Sequence, residues 1–256
     1  MKITIDTGNK TVTVLDGDRT ISHPLYSKEA FERISEVWLK TSWVQKYSYT
    51  FTWMGRPIIQ HPEDLLRTQE VIYHLRPDII IETGVAHGGS LMLSASLMKA
   101  MGHGHTVVGV DIEIRPHNRR AIEEHELFPM IQLIEGDSVA PEIVARAASH
   151  IRPGDKVLVI LDSNHTRAHV LKELEAYHAL VTTGSYMVAT DGIMRDLWDA
   201  SRGHPSWKED NPAQAAHDFV DAHPDFAIET PVWRFNESEL DKAITGWPDA
   251  WIKRRT

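Results

Sequence analysis

The chain has 256 residues, of which 42% are hydrophobic and 25% charged, a composition typical of a globular protein. Its formal net charge of -9 argues against a nucleic-acid backbone or an anionic membrane as the main partner, because both require a basic face. The chain has no cysteine, which excludes disulfides, zinc thiolate sites and thiol nucleophiles. It begins without the apolar core of a signal peptide and has no apolar run as long as a membrane span, so we expect a cytoplasmic protein.

Residues 1–60 are predicted to form an N-terminal addition to a single catalytic domain at residues 61–256. Alternating β-branched and polar residues at 2–14 predict a β-hairpin around Gly8-Asn9, and the apolar spacing at 28–40 predicts an amphipathic helix. The aromatic segment at 43–53 is expected to be irregular and partly buried. It is suited either to cover a ligand or to contact another subunit.

From residue 68 onward, amphipathic helices alternate with apolar strands, which predicts a parallel sheet covered on both faces. The predicted helices lie at 69–75, 91–101, 118–125, 143–150, 168–181 and 213–222. The predicted strands lie at 79–81, 106–111, 130–134, 157–161, 186–189, 226–232 and 250–253. Because no full helix separates the last two strands, we expect an antiparallel pair at the sheet edge. The fold class is therefore α/β and Rossmann-like, with a mostly parallel seven-stranded sheet, and residues 194–212 are expected to form a loop or lid.

A glycine-rich turn joins the strand at 79–81 to the helix that follows. Its sequence, Glu82-Thr83-Gly84-Val85-Ala86-His87-Gly88-Gly89-Ser90, allows positive φ angles and close approach of the backbone to a ligand. The helix start then offers unpaired N–H groups to an anionic moiety. The spacing of the glycines differs from the G-x-G-x-x-G of nicotinamide dinucleotide sites.

Acids end the next two strands. Asp111 is placed to accept hydrogen bonds from ribose hydroxyls, and Asp137-Ser138 stands where an adenine edge would lie. Together with the glycine-rich turn, these acids favour a nucleoside-bearing cofactor. Each acid could instead be a simple helix cap.

The fourth and fifth strands end in Asp162-Ser163-Asn164-His165 and Thr190-Asp191. Ligands in open α/β sheets collect at the carboxyl ends of strands, so we expect Asp162, His165 and Asp191 to converge. Two carboxylates suit a divalent cation such as Mg²⁺, which would acidify a bound hydroxyl. Histidine exchanges protons near neutral pH and is therefore the expected general base. A helix cap at Asp162 and an ordinary surface role for His165 remain alternatives.

Several motifs together resemble the cephalosporin hydroxylase/rhamnosyl O-methyltransferase family, over a region from about residue 53 to the C-terminus. They are residues 81–90, 109–112, 161–166, 173–177 and 246–253. The resemblance implies a class I methyltransferase fold, S-adenosylmethionine bound at Gly84 and Asp111, and a divalent metal (Mg²⁺ or Mn²⁺) at the ends of strands four and five. It further implies a histidine base and a homo-oligomer. The implied reaction is O-methylation of a hydroxyl on a sugar or glycosylated small molecule.

One position departs from the family pattern. Members of the family carry an acidic pair at the end of the fifth strand, and here Thr190 takes the first place before Asp191. We expect weaker metal binding by Asp162, Asp191 and Thr190, with Glu82 or Asp196 as alternative ligands. Metal-free catalysis by His165 is a second interpretation. A catalytically silent cofactor-binding subunit and an unusual dinucleotide-dependent oxidoreductase are the remaining ones.

Overall fold

The computed structural model describes all 256 residues, and the contacts within it divide the chain into two units. The first unit contains Met1–Gln45 and Trp233–Ile244, and the second contains Lys46–Val232 and Thr245–Thr256. The predicted boundary at residue 60 differs from this division, because residues 46–60 belong to the second unit. None of the helices is both long and apolar enough to span a membrane.

The first unit is a small antiparallel sheet with one helix. Its strands are β1 (Lys2–Asp6), β2 (Thr11–Asp16) and β3 (Arg19–Pro24), and its helix is α1 (Lys28–Val44). The predicted hairpin is confirmed, since β1 and β2 pair antiparallel. The third strand was not predicted, because β3, whose side chains are nearly all exposed, lacks the apolar alternation that marks a strand. Ion pairs from Lys28 to Asp241 and from Glu36 to Lys242 hold residues of the later stretch against α1.

The second unit contains a seven-stranded sheet and a short hairpin. The hairpin strands are β4 (Phe51–Trp53) and β5 (Arg56–Ile58). The sheet strands are β6 (Ile79–Thr83), β7 (Thr106–Asp111), β8 (Ile131–Glu135), β9 (Val157–Leu161), β10 (Tyr186–Ala189), β11 (Phe226–Ile228) and β12 (Trp251–Arg254). Their order is β11-β12-β10-β9-β6-β7-β8, and only β12 runs antiparallel to its neighbours. The predicted fold class is confirmed, including the antiparallel ending.

Six helices cover the two faces of this sheet. They are α2 (Pro62–Leu75), α3 (Gly89–Met101), α4 (Pro116–Glu123), α5 (Pro141–Ala148), α6 (Arg167–Tyr177) and α7 (Pro212–Ala222). Alternate residues of β6 point to opposite faces: Ile79 and Ile81 pack with α5, α6 and α7, whereas Ile80 packs with α2, α3 and α4. Residues 194–212, predicted as a loop or lid, include the end of one 3₁₀-helix (Gly192–Asp196) and the whole of another (Pro205–Lys208). Leu197 within them is fully buried.

The strand order fixes where a ligand can bind. From β6 the chain moves outward to β7 and β8, then returns to the other side of β6 to form β9 and β10. The carboxyl ends of β6 and β9 therefore flank the point at which the order reverses, which is the usual ligand crevice of open α/β sheets.

Candidate active site

A cleft of about 220 Å³ lies at this crevice. Its walls are formed by most of the glycine-rich turn at residues 84–90, by residues 57–60 at the end of β5 and just after it, and by Tyr49. Asp162, Ser163, His165 and Asp191 complete it. The structure thus brings the predicted cofactor turn and the predicted chemical residues into one cavity. Residues 57–60 were not predicted to be part of it, and residues 194–212 are not among its walls.

The first glycine of the glycine-rich turn, Gly84, has a backbone conformation and a close contact that only glycine allows. Gly84 has a φ of +94°, and a Cβ atom there would lie 1.9 Å from the carbonyl oxygen of Asp162. The ends of β6 and β9 can therefore approach closely only with glycine at this place. Gly88, with a φ of +81°, directly precedes α3, and Gly89 and Ser90 form the first turn of that helix. Its first N–H groups lack partners within the helix.

Side chains from three neighbouring elements brace this turn. The Asp111 carboxylate accepts hydrogen bonds from the backbone N–H groups of Val85 (2.8 Å) and Ala86 (3.1 Å). Arg56 donates from Nε to the carbonyl of His87 (2.9 Å) and from Nη2 to the Asn118 amide oxygen (3.1 Å). Asn118 in turn donates to the carbonyl of Ala86 (2.8 Å). Asp111 was predicted as a site residue, whereas Arg56 and Asn118 were not.

Glu82 lies beneath the turn and is 1% exposed. It accepts a hydrogen bond from the Ser90 hydroxyl, and its other carboxylate oxygen has no hydrogen-bond partner. Burial raises the pKa of Glu82 to about 8; Ser90 lowers it and the nearby Asp162 raises it. A large share of Glu82 is consequently protonated at neutral pH.

The predicted adenine contacts follow β8 and lie outside the cleft walls. Asp137 is exposed and accepts a bond from the backbone N–H of Val139 (3.2 Å). Ser138 is buried and donates to Glu173 (2.6 Å), a fully buried residue that also accepts from Ser163 (2.7 Å). The Ser138 hydroxyl therefore belongs to a network that joins the end of β8 to the end of β9.

Asp162, His165 and Asp191 form a compact cluster in the cleft. One potential ligand atom from each lies within 4.8 Å of the others. His165 Nε2 is 3.5 Å from Asp191 Oδ2 and 4.0 Å from Asp162 Oδ1. Burial raises the pKa of Asp191 above its usual range, His165 lowers it and Asp162 raises it. Protein groups surround the cluster, yet all three side chains remain partly accessible from the cleft.

Thr190 is fully buried and is directed at the cluster from behind. Its hydroxyl oxygen lies 2.6 Å from Asp162 Oδ1 and 3.0 Å from the carbonyl oxygen of Leu161. Both neighbours are acceptors, so the single hydroxyl proton is donated to one of them. Asp196, the alternative ligand, is exposed and pairs with Arg195 at 3.6 Å.

The chain was compared with known protein families, with curated proteins and with solved structures. Residues 45–255 match the family described as Rhamnosyl O-methyltransferase/CmcI. The chain is 34% identical over 158 residues to a rhamnosyl O-methyltransferase of Mycobacterium leprae, a match covering 61% of the chain and 63% of that protein. It is 30% identical over 171 residues to a rhamnosyl O-methyltransferase of Mycobacterium bovis, covering 66% of the chain and 61% of that protein. The matched region thus spans less than two thirds of either relative.

A solved structure described as cmcI-D160 Mg-SAM shares the fold. Its TM-score is 0.52 at 18% identity, with 81% of this chain and 78% of that chain covered. The family match extends over most of the chain and includes every predicted site residue from Glu82 to Asp191. The resemblance seen in the sequence is confirmed: the chain belongs to the rhamnosyl O-methyltransferase/CmcI family.

Proposed function

We propose that the protein is an S-adenosylmethionine-dependent O-methyltransferase acting on a hydroxyl of a sugar or a glycosylated small molecule. The observation that carries the proposal is the single cleft in which the glycine-rich turn faces Asp162, His165 and Asp191. Such a cleft offers a cofactor-binding site and an acid–base cluster within reach of each other. Membership of the family, with relatives named as rhamnosyl O-methyltransferases, supports the same reaction.

The glycine-rich turn and the acids beside it would hold the cofactor. The first N–H groups of α3, at Gly89 and Ser90 directly after Gly88, suit the carboxylate of S-adenosylmethionine. Asp111 would accept from the ribose hydroxyls while it continues to brace the turn, and Asp137 and Ser138 would border the adenine. Glu82 would help to position the start of α3 through the hydrogen bond that it accepts from the Ser90 hydroxyl.

The donor set of the cluster fits a divalent cation. The carboxylate oxygens of Asp162 and Asp191 lie within 4.8 Å of each other and can converge on one ion, and oxygen ligands suit Mg²⁺ or Mn²⁺. Asp162 and Asp191 would hold the ion, which would supply charge stabilisation to the acceptor oxygen. The Thr190 hydroxyl would act mainly by fixing Asp162, to which it can donate.

His165 is proposed as the general base. Its Nε2 faces both carboxylates and is partly exposed to the cleft, so it can take a proton from a hydroxyl bound there. The acceptor oxygen forms a bond to the methyl carbon as the bond from that carbon to sulfur breaks, and the hydroxyl proton goes to His165. Asp191, 3.5 Å away, stabilises the imidazolium that results. The products are the methyl ether and S-adenosylhomocysteine.

The acceptor side of the cleft includes an aromatic ring. Tyr49 lines the cleft, and an amphipathic ring of this kind suits the apolar face of a sugar. We therefore propose that the acceptor enters past Tyr49. The homo-oligomer implied by the resemblance remains a prediction, which light scattering on the purified protein will test.

The proposal is tested by binding and by product mass. Calorimetry should show binding of S-adenosylmethionine and S-adenosylhomocysteine but not of NAD. Incubation with rhamnosyl glycosides and activated sugars should yield products heavier by one methylene group. Binding without any methylated product across such a panel would favour a silent cofactor-binding subunit. Failure to bind both S-adenosylmethionine and S-adenosylhomocysteine would reject the proposal.

A further inference from the structure

Asp64 is a buried carboxylate that the proposed chemistry does not use. It lies in the first turn of α2 and is 3% exposed. Its oxygens accept hydrogen bonds from the Thr245 hydroxyl and from the backbone N–H of Gly246 (2.8 Å). Burial raises the pKa of Asp64 to about 7, although these two hydrogen bonds lower it. A carboxylate buried at such a cost suggests a role beyond packing.

The segment that Asp64 holds, residues 245–250, lies directly behind Asp191. The backbone N–H of Ile193 donates to the carbonyl of Gly246 (3.1 Å), and that of Ala189 donates to the carbonyl of Ala250 (2.9 Å). The contact is close enough to require a glycine, because a Cβ on Gly192 would lie 2.4 Å from the Pro248 carbonyl oxygen. The segment therefore shapes both sides of the turn that carries Asp191.

Asp191 depends on this support. It has a φ of +58°, a conformation that a non-glycine residue keeps only when its surroundings fix it. Trp247, which is 4% exposed, directs its indole N–H at the Asp191 carboxylate. The backbone N–H of Trp247 donates to the Thr245 hydroxyl oxygen (2.9 Å), the same group that donates to Asp64. A continuous chain of contacts thus runs from Asp64 through Thr245 and Trp247 to Asp191.

We infer that Asp64 is a positioning residue for the reaction: it anchors residues 245–247 and through them sets the place and direction of the Asp191 carboxylate. The inference rests on the proposed function, since it assigns Asp191 a part in the chemistry. A purely structural Asp64 would contribute to stability and leave the rate per folded molecule unchanged. The two roles therefore differ in kcat.

The test compares Asp64→Ala with Asp64→Asn. Alanine removes both acceptors, and we expect kcat to fall roughly 10- to 100-fold, the scale of a misplacement near 1 Å. Affinity for S-adenosylhomocysteine should change less than about twofold, because Asp64 is assigned to the Asp191 side of the cleft. Asparagine keeps an acceptor for Gly246 and can donate to Thr245, so it should recover most of the rate. Asp64→Ala with an unchanged kcat would overturn the inference.

A matched control separates positioning from general destabilisation. Val181 is 1% exposed and lies near the amino edge of the sheet, beside the residue that bonds the start of β9. Val181→Ala should lower the melting temperature while kcat stays near that of the wild type. If Val181→Ala lowers kcat as much as Asp64→Ala does, the effect is structural and the inference fails.

Hydrogen exchange provides a readout that needs no methyl transfer. The Ile193 amide, bonded to Gly246, should exchange faster in Asp64→Ala than in the wild type or Val181→Ala. If the wild type binds no S-adenosylmethionine, the proposed function fails, yet faster exchange at Ile193 would still show that Asp64 fixes the turn. Unchanged exchange at Ile193 would refute the anchoring whatever the protein catalyses.

Discussion

Replacing Glu82 with glutamine should abolish one pH effect on stability. In the unfolded chain this carboxyl has a pKa near 4.5, and in the folded protein burial raises the pKa to about 8. The folded state therefore binds the proton more tightly, and the wild type loses stability as pH rises from about 4.5 to about 8. Glutamine carries no proton to lose, so the stability of Glu82→Gln relative to the wild type should increase across the same interval.

The size of this effect follows from the two pKa values. One pKa unit corresponds to about 1.4 kcal/mol, so the rise from 4.5 to about 8 sets an upper bound of about 5 kcal/mol. Relaxation of the protein and entry of water lower the cost of burying a charge, and we expect about 2 to 5 kcal/mol above pH 8. The unpartnered oxygen of Glu82 adds a pH-independent offset when it becomes an amide nitrogen, which leaves the slope unaffected.

Urea unfolding at intervals between pH 5 and pH 9 measures the difference directly. The exposed Glu124, replaced by glutamine, is the matched control and should give a difference that hardly varies with pH. Other titrating groups are common to the wild type and the variant, so they cancel. Parallel stability curves for the wild type and Glu82→Gln would show that Glu82 is ionised in the folded protein throughout, and the account of its burial would then be wrong.

Three further predictions concern the cleft. Asp111→Ala should weaken binding of S-adenosylhomocysteine by roughly 10- to 150-fold in calorimetry, since it removes the proposed charge-assisted contact to the ribose and two bonds to the turn; wild-type affinity would exclude Asp111 from the site. Exhaustive chelation should lower activity and Mg²⁺ or Mn²⁺ should restore it, while Thr190→Glu should tighten Mn²⁺ binding; full activity after chelation would count against a metal. His165→Ala should lower kcat by about 10²- to 10⁴-fold with cofactor affinity preserved, whereas reduced stability with an intact kcat would assign the base elsewhere.

The sheet was predictable because its signals are local. β7, β9 and β10 begin and end at the predicted residues, since each is an apolar run bounded by polar or glycine residues. Helix starts were predicted less well: α2 begins at Pro62, seven residues before the predicted start. Its first turn contains Glu63 and Asp64, whose charges hide the apolar period there, and Asp64 is buried only because a distant segment supplies its partners.

The difference between local sequence signals and contacts from distant segments also separates the predicted from the unpredicted parts of the site. Gly84, Asp111 and Asp162 follow directly from strand ends, because parallel strands bring their carboxyl ends to one edge. Arg56 and Asn118 bond to backbone carbonyls 31 and 32 positions away in the sequence, and Arg56 also bonds to the Asn118 side chain. Every residue has a backbone carbonyl, so the residue types give no sign of these partners. Asp64 and Gly246 are separated by 182 positions. Neither composition nor periodicity carries information about such pairs.

Thr190 replaces the first acid of the family's acidic pair, and the structure gives this difference from the family a different interpretation than the sequence does. Against the family pattern its hydroxyl is simply a missing carboxylate, which predicts a weaker metal site. In the structure that hydroxyl lies 2.6 Å from Asp162, and His165 completes the cluster with Asp162 and Asp191. Two carboxylates match the charge of a divalent ion, and a third would leave an excess negative charge beside them. Thr190→Glu should tighten metal binding by adding that charge, but it removes the hydroxyl that fixes Asp162, so we expect metal affinity to rise without a rise in kcat.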